Sequence, residues 1–66
     1  MKSNWIKQSA KTGTIQLVES CDGRELYVTH SKDYDGRSSM WHVWEGEKWL
    51  ICTPDYHAAL HKFDKR

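Results

Sequence analysis

MWHVWEGEKWLICTPDYHAALHKFDK, residues 40–65, decides the fold. Residues 40–44 alternate in character, and residues 48–52 alternate again. A period of two is the signature of a strand. Glu45-Gly46-Glu47 between them supplies the glycine of a tight hairpin turn. Unbroken alternation puts Met40, His42, Trp44, Trp49 and Ile51 on one face and Trp41, Val43, Leu50 and Cys52 on the other. Both faces are then largely apolar, whereas a small antiparallel sheet commonly buries one face and wets the other.

A helix follows the hairpin. Thr53 reads as its N-cap, Pro54 as its first position, and Asp55 as a complement to the positive helix end. Tyr56, Ala59, Leu60 and Phe63 recur at i, i+3, i+4 and i+7, a single apolar stripe. Lys62, Lys65 and Arg66 suit the negative end. One stripe covers one sheet face. The functional question therefore becomes what covers the second.

Upstream, residues 14–30 form another hairpin around Asp22-Gly23, because a type I′ turn needs positive φ at both central positions. Pairing Cys21 with Arg24 places Ile15, Leu17, Glu19, Cys21, Arg24, Leu26 and Val28 on a core face. Gln16, Val18, Ser20, Glu25, Tyr27 and Thr29 take the other. Residues 31–39 read as a polar recognition loop. Residues 1–13 read as a loosely ordered start with a short strand over 4–8, and Trp5 as a ring packed over an edge of the core. The expected fold is α+β, one domain over 1–66: a four-stranded antiparallel sheet of two hairpins with one C-terminal helix on one face, β-β-β-β-α.

Sixty-six residues bury only about 60% of the surface their unfolded chain exposes, so an exposed aromatic face is costly unless a partner covers it. Ten Lys+Arg balance nine Asp+Glu, and the charges are interspersed, which speaks against a nucleic-acid stripe. The N-terminus has no apolar run of a secretory signal, and no segment is long enough to span a membrane. Two distant cysteines, Cys21 and Cys52, fit a reduced, cytoplasmic setting better than a disulfide framework. The size suits the short gene products of phage and mobile elements.

The chemical motifs are incomplete. His57 and His61 stand at i, i+4, the spacing of two helical zinc ligands, but His57-Ala58-Ala59-Leu60-His61 lacks a glutamate and a third ligand. A solvated helix face explains them, and no metal or other cofactor is assigned. Asp33-Tyr34-Asp35-Gly36 resembles the middle of a calcium loop whose final glutamate is absent, since His42 falls there. Cys52 and His57 lack an orienting third group, and Lys11-Thr12-Gly13 lacks the glycines of a phosphate loop. No catalytic residue is assigned.

The expectation is a non-enzymatic binding module that acts through its aromatic face. Trp44 and Trp49 are the anchors, with Tyr27, His42, Tyr34, Arg37 and Lys48 as outer contacts. Protein binding, as a homodimer or on a larger partner, fits the enrichment of Trp and Tyr at binding hot spots. The first alternative is nucleic-acid binding by stacking, with Lys and Arg around the rings. In element order alone, residues 40–63 resemble the sheet-plus-helix DNA-binding domains of some integrases, which implies a DNA contact. The second alternative is a small anionic or planar ligand held between subunits. Against all three stands the reading that the N-terminal segment folds Trp5 over this face and buries it.

Overall fold

The computed structural model describes residues 2–31 and 39–64. The elements run α1 (Lys2–Thr12), β1 (Gly13–Cys21), β2 (Arg24–Ser31), β3 (Ser39–Glu45), β4 (Lys48–Thr53) and α2 (Tyr56–Asp64). The strands form one antiparallel sheet in chain order, β1-β2-β3-β4, with β1 and β4 at its edges. The α+β architecture expected from the sequence is present, with α2 packed on one face.

The start of the chain corrects the expectation of a loose segment with a strand at 4–8. Residues 2–12 are helical. No Pro or Gly interrupts them, and Lys, Gln and Ala are good helix formers. Lys2, Trp5, Ile6 and Ser9 are its half-buried positions, spaced i, i+3, i+4 and i+7. Lys11 sits in the last turn, where a cation suits the helix dipole. The Thr12 hydroxyl donates to the Gln8 carbonyl at 3.3 Å.

Both hairpins turn as two-residue loops. Asp22 and Gly23 hold φ of 52° and 83°, the positive pair of a type I′ turn. Gly46 holds φ of 62° at the first central position of the second loop, where type II′ geometry wants glycine. The two turns lie together, and Gly46 N–H donates to the Gly23 carbonyl at 3.3 Å.

Two β-bulges revise the face assignments. The β1–β2 register jumps between Leu17 and Glu19, leaving Val18 as the extra residue. Ile15 and Leu17 therefore share the face of Tyr27 and Thr29 rather than that of Leu26, and Leu17 is 48% exposed. The β3–β4 register jumps between Val43 and Trp44, leaving Leu50 as the extra residue. Ile51 now lies opposite Val43, and Cys52 opposite His42, the reverse of strict alternation. An extra residue flips every side chain beyond it, which is why alternation failed at these positions.

The core forms between the sheet and α2. Leu26, Val43, Ala59 and Phe63 are buried there, with Trp41, Leu50, Ile51 and Leu60 packed around them. Tyr56, the first member of the helix stripe, is 40% exposed and lies against Trp41 at 4.6 Å. Asp55, not Thr53, caps α2, since its Oδ1 accepts from His57 N–H at 2.9 Å. Thr53 Oγ1 instead accepts from Asp55 N–H at 3.1 Å. At the far end, Arg24 Nη1 donates to the Lys62 carbonyl at 2.7 Å, placing a cation on the negative helix terminus.

α1 lies on the opposite face. Its N-terminus meets the turn end of the sheet: Lys2 N–H donates to Glu47 Oε1 at 2.9 Å, and Lys2 Nζ pairs with Glu25. Its C-terminus leads into Gly13, which pairs with Ser31 at the other end. α1 thus runs antiparallel to β1, and the chain reverses between Thr12 and Gly13 with no loop residue.

Candidate functional site

The face under α1 holds the aromatic cluster. Tyr27 comes from β2, His42 and Trp44 from β3, and Trp49 from β4. Cross-strand pairing sets Tyr27 opposite His42 and Trp44 opposite Trp49. Trp5 of α1 reaches all four, with ring centroids at 5.3 Å from Tyr27, 4.8 Å from His42, 5.1 Å from Trp44 and 5.8 Å from Trp49. Trp44 and Trp49 stack at 5.5 Å with planes only 3° apart. Offset and edge contacts of this kind are each worth about 0.5–1.5 kcal/mol beyond area burial.

The proposed anchors therefore divide. Trp44, His42 and Tyr27 are 3%, 5% and 7% exposed, while Trp49 is 48% exposed. Lys48 is exposed at the start of β4, beside the exposed Glu45 and Glu47. Tyr34 and Arg37 lie outside the described residues. The reading that the N-terminal segment folds Trp5 over this face holds for Tyr27, His42 and Trp44, which are buried, but not for Trp49; that the segment is a helix was not foreseen. The half-buried stripe of α1 carries that signal, although polar Lys2 and Ser9 at its ends obscure it.

Next to Trp49 the edge of the sheet forms a shallow groove of about 230 Å³, lined by Trp49, Leu50, Ile51 and Cys52. Burial pushes the Cys52 thiol above its usual range, away from the reactive thiolate. Cys21 and Cys52 stand on opposite edge strands and form no disulfide. His57 and His61 are exposed on α2. Among the described residues no group of three or more His, Cys, Asp or Glu side chains is placed to hold a metal. No helix among them is long and apolar enough to cross a membrane.

His42 is the polar centre of the cluster. Its Nε2 bonds Thr29 Oγ1 at 2.9 Å, while its Nδ1 and Trp44 Nε1 are buried without a hydrogen-bond partner among the described residues. Burial holds the imidazole below its ordinary value. Beside it, burial and then the Glu25 charge raise the Tyr27 phenol, and its hydrogen bond to Glu25 raises the Lys2 ammonium.

A pH dependence follows. In the unfolded chain His42 takes up a proton near pH 6.5, but in the folded protein only at lower pH. Between those values the unfolded state binds more protons, so acid favours unfolding. Stability should be flat above about pH 6.5 and fall below it, by at most about 1.4 kcal/mol per pH unit for this one group. Thermal melts between pH 7.5 and 5 should show the decline in the wild type and a shallower one in His42→Gln. Equal slopes would show that His42 is not the group responsible. No known protein family, curated protein or solved structure matches the chain.

Proposed function

We propose that this chain is a small non-enzymatic protein-binding module whose contact surface is the β4 edge around Trp49. The observation that carries this reading is the contrast within one stack. Trp44 is 3% exposed, whereas its parallel neighbour Trp49 is 48% exposed. About half of Trp49 is offered to solvent while its stack on Trp44 supports the ring. A ring fixed before contact loses little side-chain freedom on binding. Tryptophan is also the residue most enriched at binding hot spots.

The surroundings support the same reading. The groove along Trp49–Cys52 gives an apolar centre, and Glu45, Glu47 and Lys48 give a charged rim. Two of those three rim charges are acidic, and the net charge is +1, which favours a protein partner over a nucleic-acid backbone. Two cysteines without a disulfide suit a reducing compartment.

Trp49→Ser tests the proposal. It should weaken partner capture about thirty-fold, the effect of a 2 kcal/mol hot spot. Its half-exposed position should hold the stability cost to about 1.5 kcal/mol. Capture from lysate, repeated with nuclease, gives the readout. Retention of the partner by Trp49→Ser would refute the proposal, and loss of all captured material with nuclease would turn it to nucleic acid.

A further inference from the structure

β1 is the open edge of the sheet opposite the one that carries Trp49, and little covers it. Of its nine residues only Gly13 is buried and only Ile15 half-buried. Leu17 and Val18 are 48% and 42% exposed, although α1 lies across the face that Leu17 shares. Edge strands are commonly guarded by lysine, proline or short length. β4 is six residues long and begins at Lys48. Residues 14–20 of β1, TIQLVES, contain no Lys, Arg, Pro or Gly.

The backbone makes this edge complementary to itself. Cys21 and Arg24 flank a two-residue turn, so they exchange hydrogen bonds. Along β2, Tyr27 and Thr29 lie an odd number of residues from Arg24, so their pairs with Leu17 and Ile15 are the non-hydrogen-bonded kind. The N–H and C=O groups of Ile15 and Leu17 therefore point away from β2, toward the open edge. An antiparallel copy centred on Gln16 sets Ile15 opposite Leu17 of the second copy, and Leu17 opposite its Ile15. Outward groups then meet outward groups, and the same two residues form cross-strand apolar pairs. The bulge at Val18 bends the strand beyond this stretch and keeps the pairing short. The ends match as well. Lys11 just before the strand and Glu19 near its far end are both exposed, and neither has an ion-pair partner among the described residues. Antiparallel pairing brings the lysine end of each copy to the glutamate end of the other, whereas parallel pairing would oppose like charges.

We propose that the chain forms a two-fold dimer by antiparallel pairing of β1 with β1 of a second copy, which joins two four-stranded sheets into one with the β4 strands outermost. The second copy is the occupant because three features of the strand fit their own reversal: the outward backbone groups, the Ile15 and Leu17 side chains, and the opposite charges at its ends. The same patch serves both chains, so the assembly closes at two. One strand pair is a small interface, which makes the dimer weak and concentration-dependent. This contact goes beyond the surface around Trp49 and leaves that ring open in each copy.

Sedimentation equilibrium on the purified protein, from about 1 µM to about 1 mM, spans the affinities of such interfaces. The average mass should rise from the 7.8 kDa of one chain toward twice that value. Leu17→Lys adds the guard that β1 lacks and should hold the mass at one chain throughout, with an unchanged circular dichroism spectrum because Leu17 is half exposed. Glu19→Lys should weaken dimerisation about five-fold, the worth of two exposed ion pairs, and Lys11→Glu in the same chain should restore it. Trp49→Ser should dimerise like the wild type. A wild type that stays at one-chain mass overturns the proposal, as does a dimer that survives Leu17→Lys or one that the Glu19 and Lys11 changes leave unmoved. A dimer lost in Trp49→Ser overturns it too, since the copies then meet through β4.

Discussion

Trp44→Ala should cost about 3–5 kcal/mol of stability, the loss expected for a large ring removed from a packed site. Trp44 is 3% exposed, sandwiched among Trp5 at 5.1 Å and Trp49 at 5.5 Å. A chain of 66 residues has roughly 3–10 kcal/mol to lose, so much of the population would unfold near physiological temperature. One contribution runs the other way. The buried Trp44 Nε1 has no partner among the described residues, and removing an orphaned donor returns about 1–3 kcal/mol. Trp44→Phe, which keeps a ring and removes that N–H, should therefore cost well under half as much as Trp44→Ala. Urea unfolding followed by far-ultraviolet circular dichroism measures both. A near-neutral Trp44→Ala would mean that α1 does not cover this face. Set beside Trp49→Ser, the pair separates the two ends of one stack: the inner ring holds the fold, and the outer ring meets the partner.

The second large effect belongs to the opposite face. Phe63→Ala should cost about 3–5 kcal/mol, because Phe63 is 4% exposed and packs with Leu26, Val43 and Ala59. For a domain of this size that is a fall in Tm of roughly 12 °C or more. Leu60→Ala on the neighbouring position should cost only about 1–2 kcal/mol, since Leu60 is partly buried at the margin of the same cluster. Equal costs would mean that α2 is rotated about its axis from the orientation described here.

α2 was readable because its apolar positions repeat at helical spacing and its start is marked by Thr53-Pro54-Asp55. The turns were readable because Asp22-Gly23 and Gly46 adopt backbone angles that few other residues accept. α1 was not, since two of its four inward positions are Lys2 and Ser9, which periodicity counts as polar. The bulges at Val18 and Leu50 were silent because neither carries a Gly or Pro, and a β-branched or aliphatic residue is ordinary in a strand. The same silence displaced Ile51 and Cys52 to the wrong faces. The aromatic composition of the site was legible throughout; which ring faces outward depended on α1.

The path of α1 across the sheet also sets an order of assembly. Lys2 bonds Glu47, 45 positions away, so α1, made before the sheet, has no complete docking surface until the second hairpin has emerged. Both hairpins close over short separations and gain nothing by waiting. The contacts of α1 with Trp44, Trp49 and Glu47 instead span most of the chain, so they complete only after the second hairpin has formed. Throughout synthesis, Trp5 travels ahead of every ring it will eventually touch.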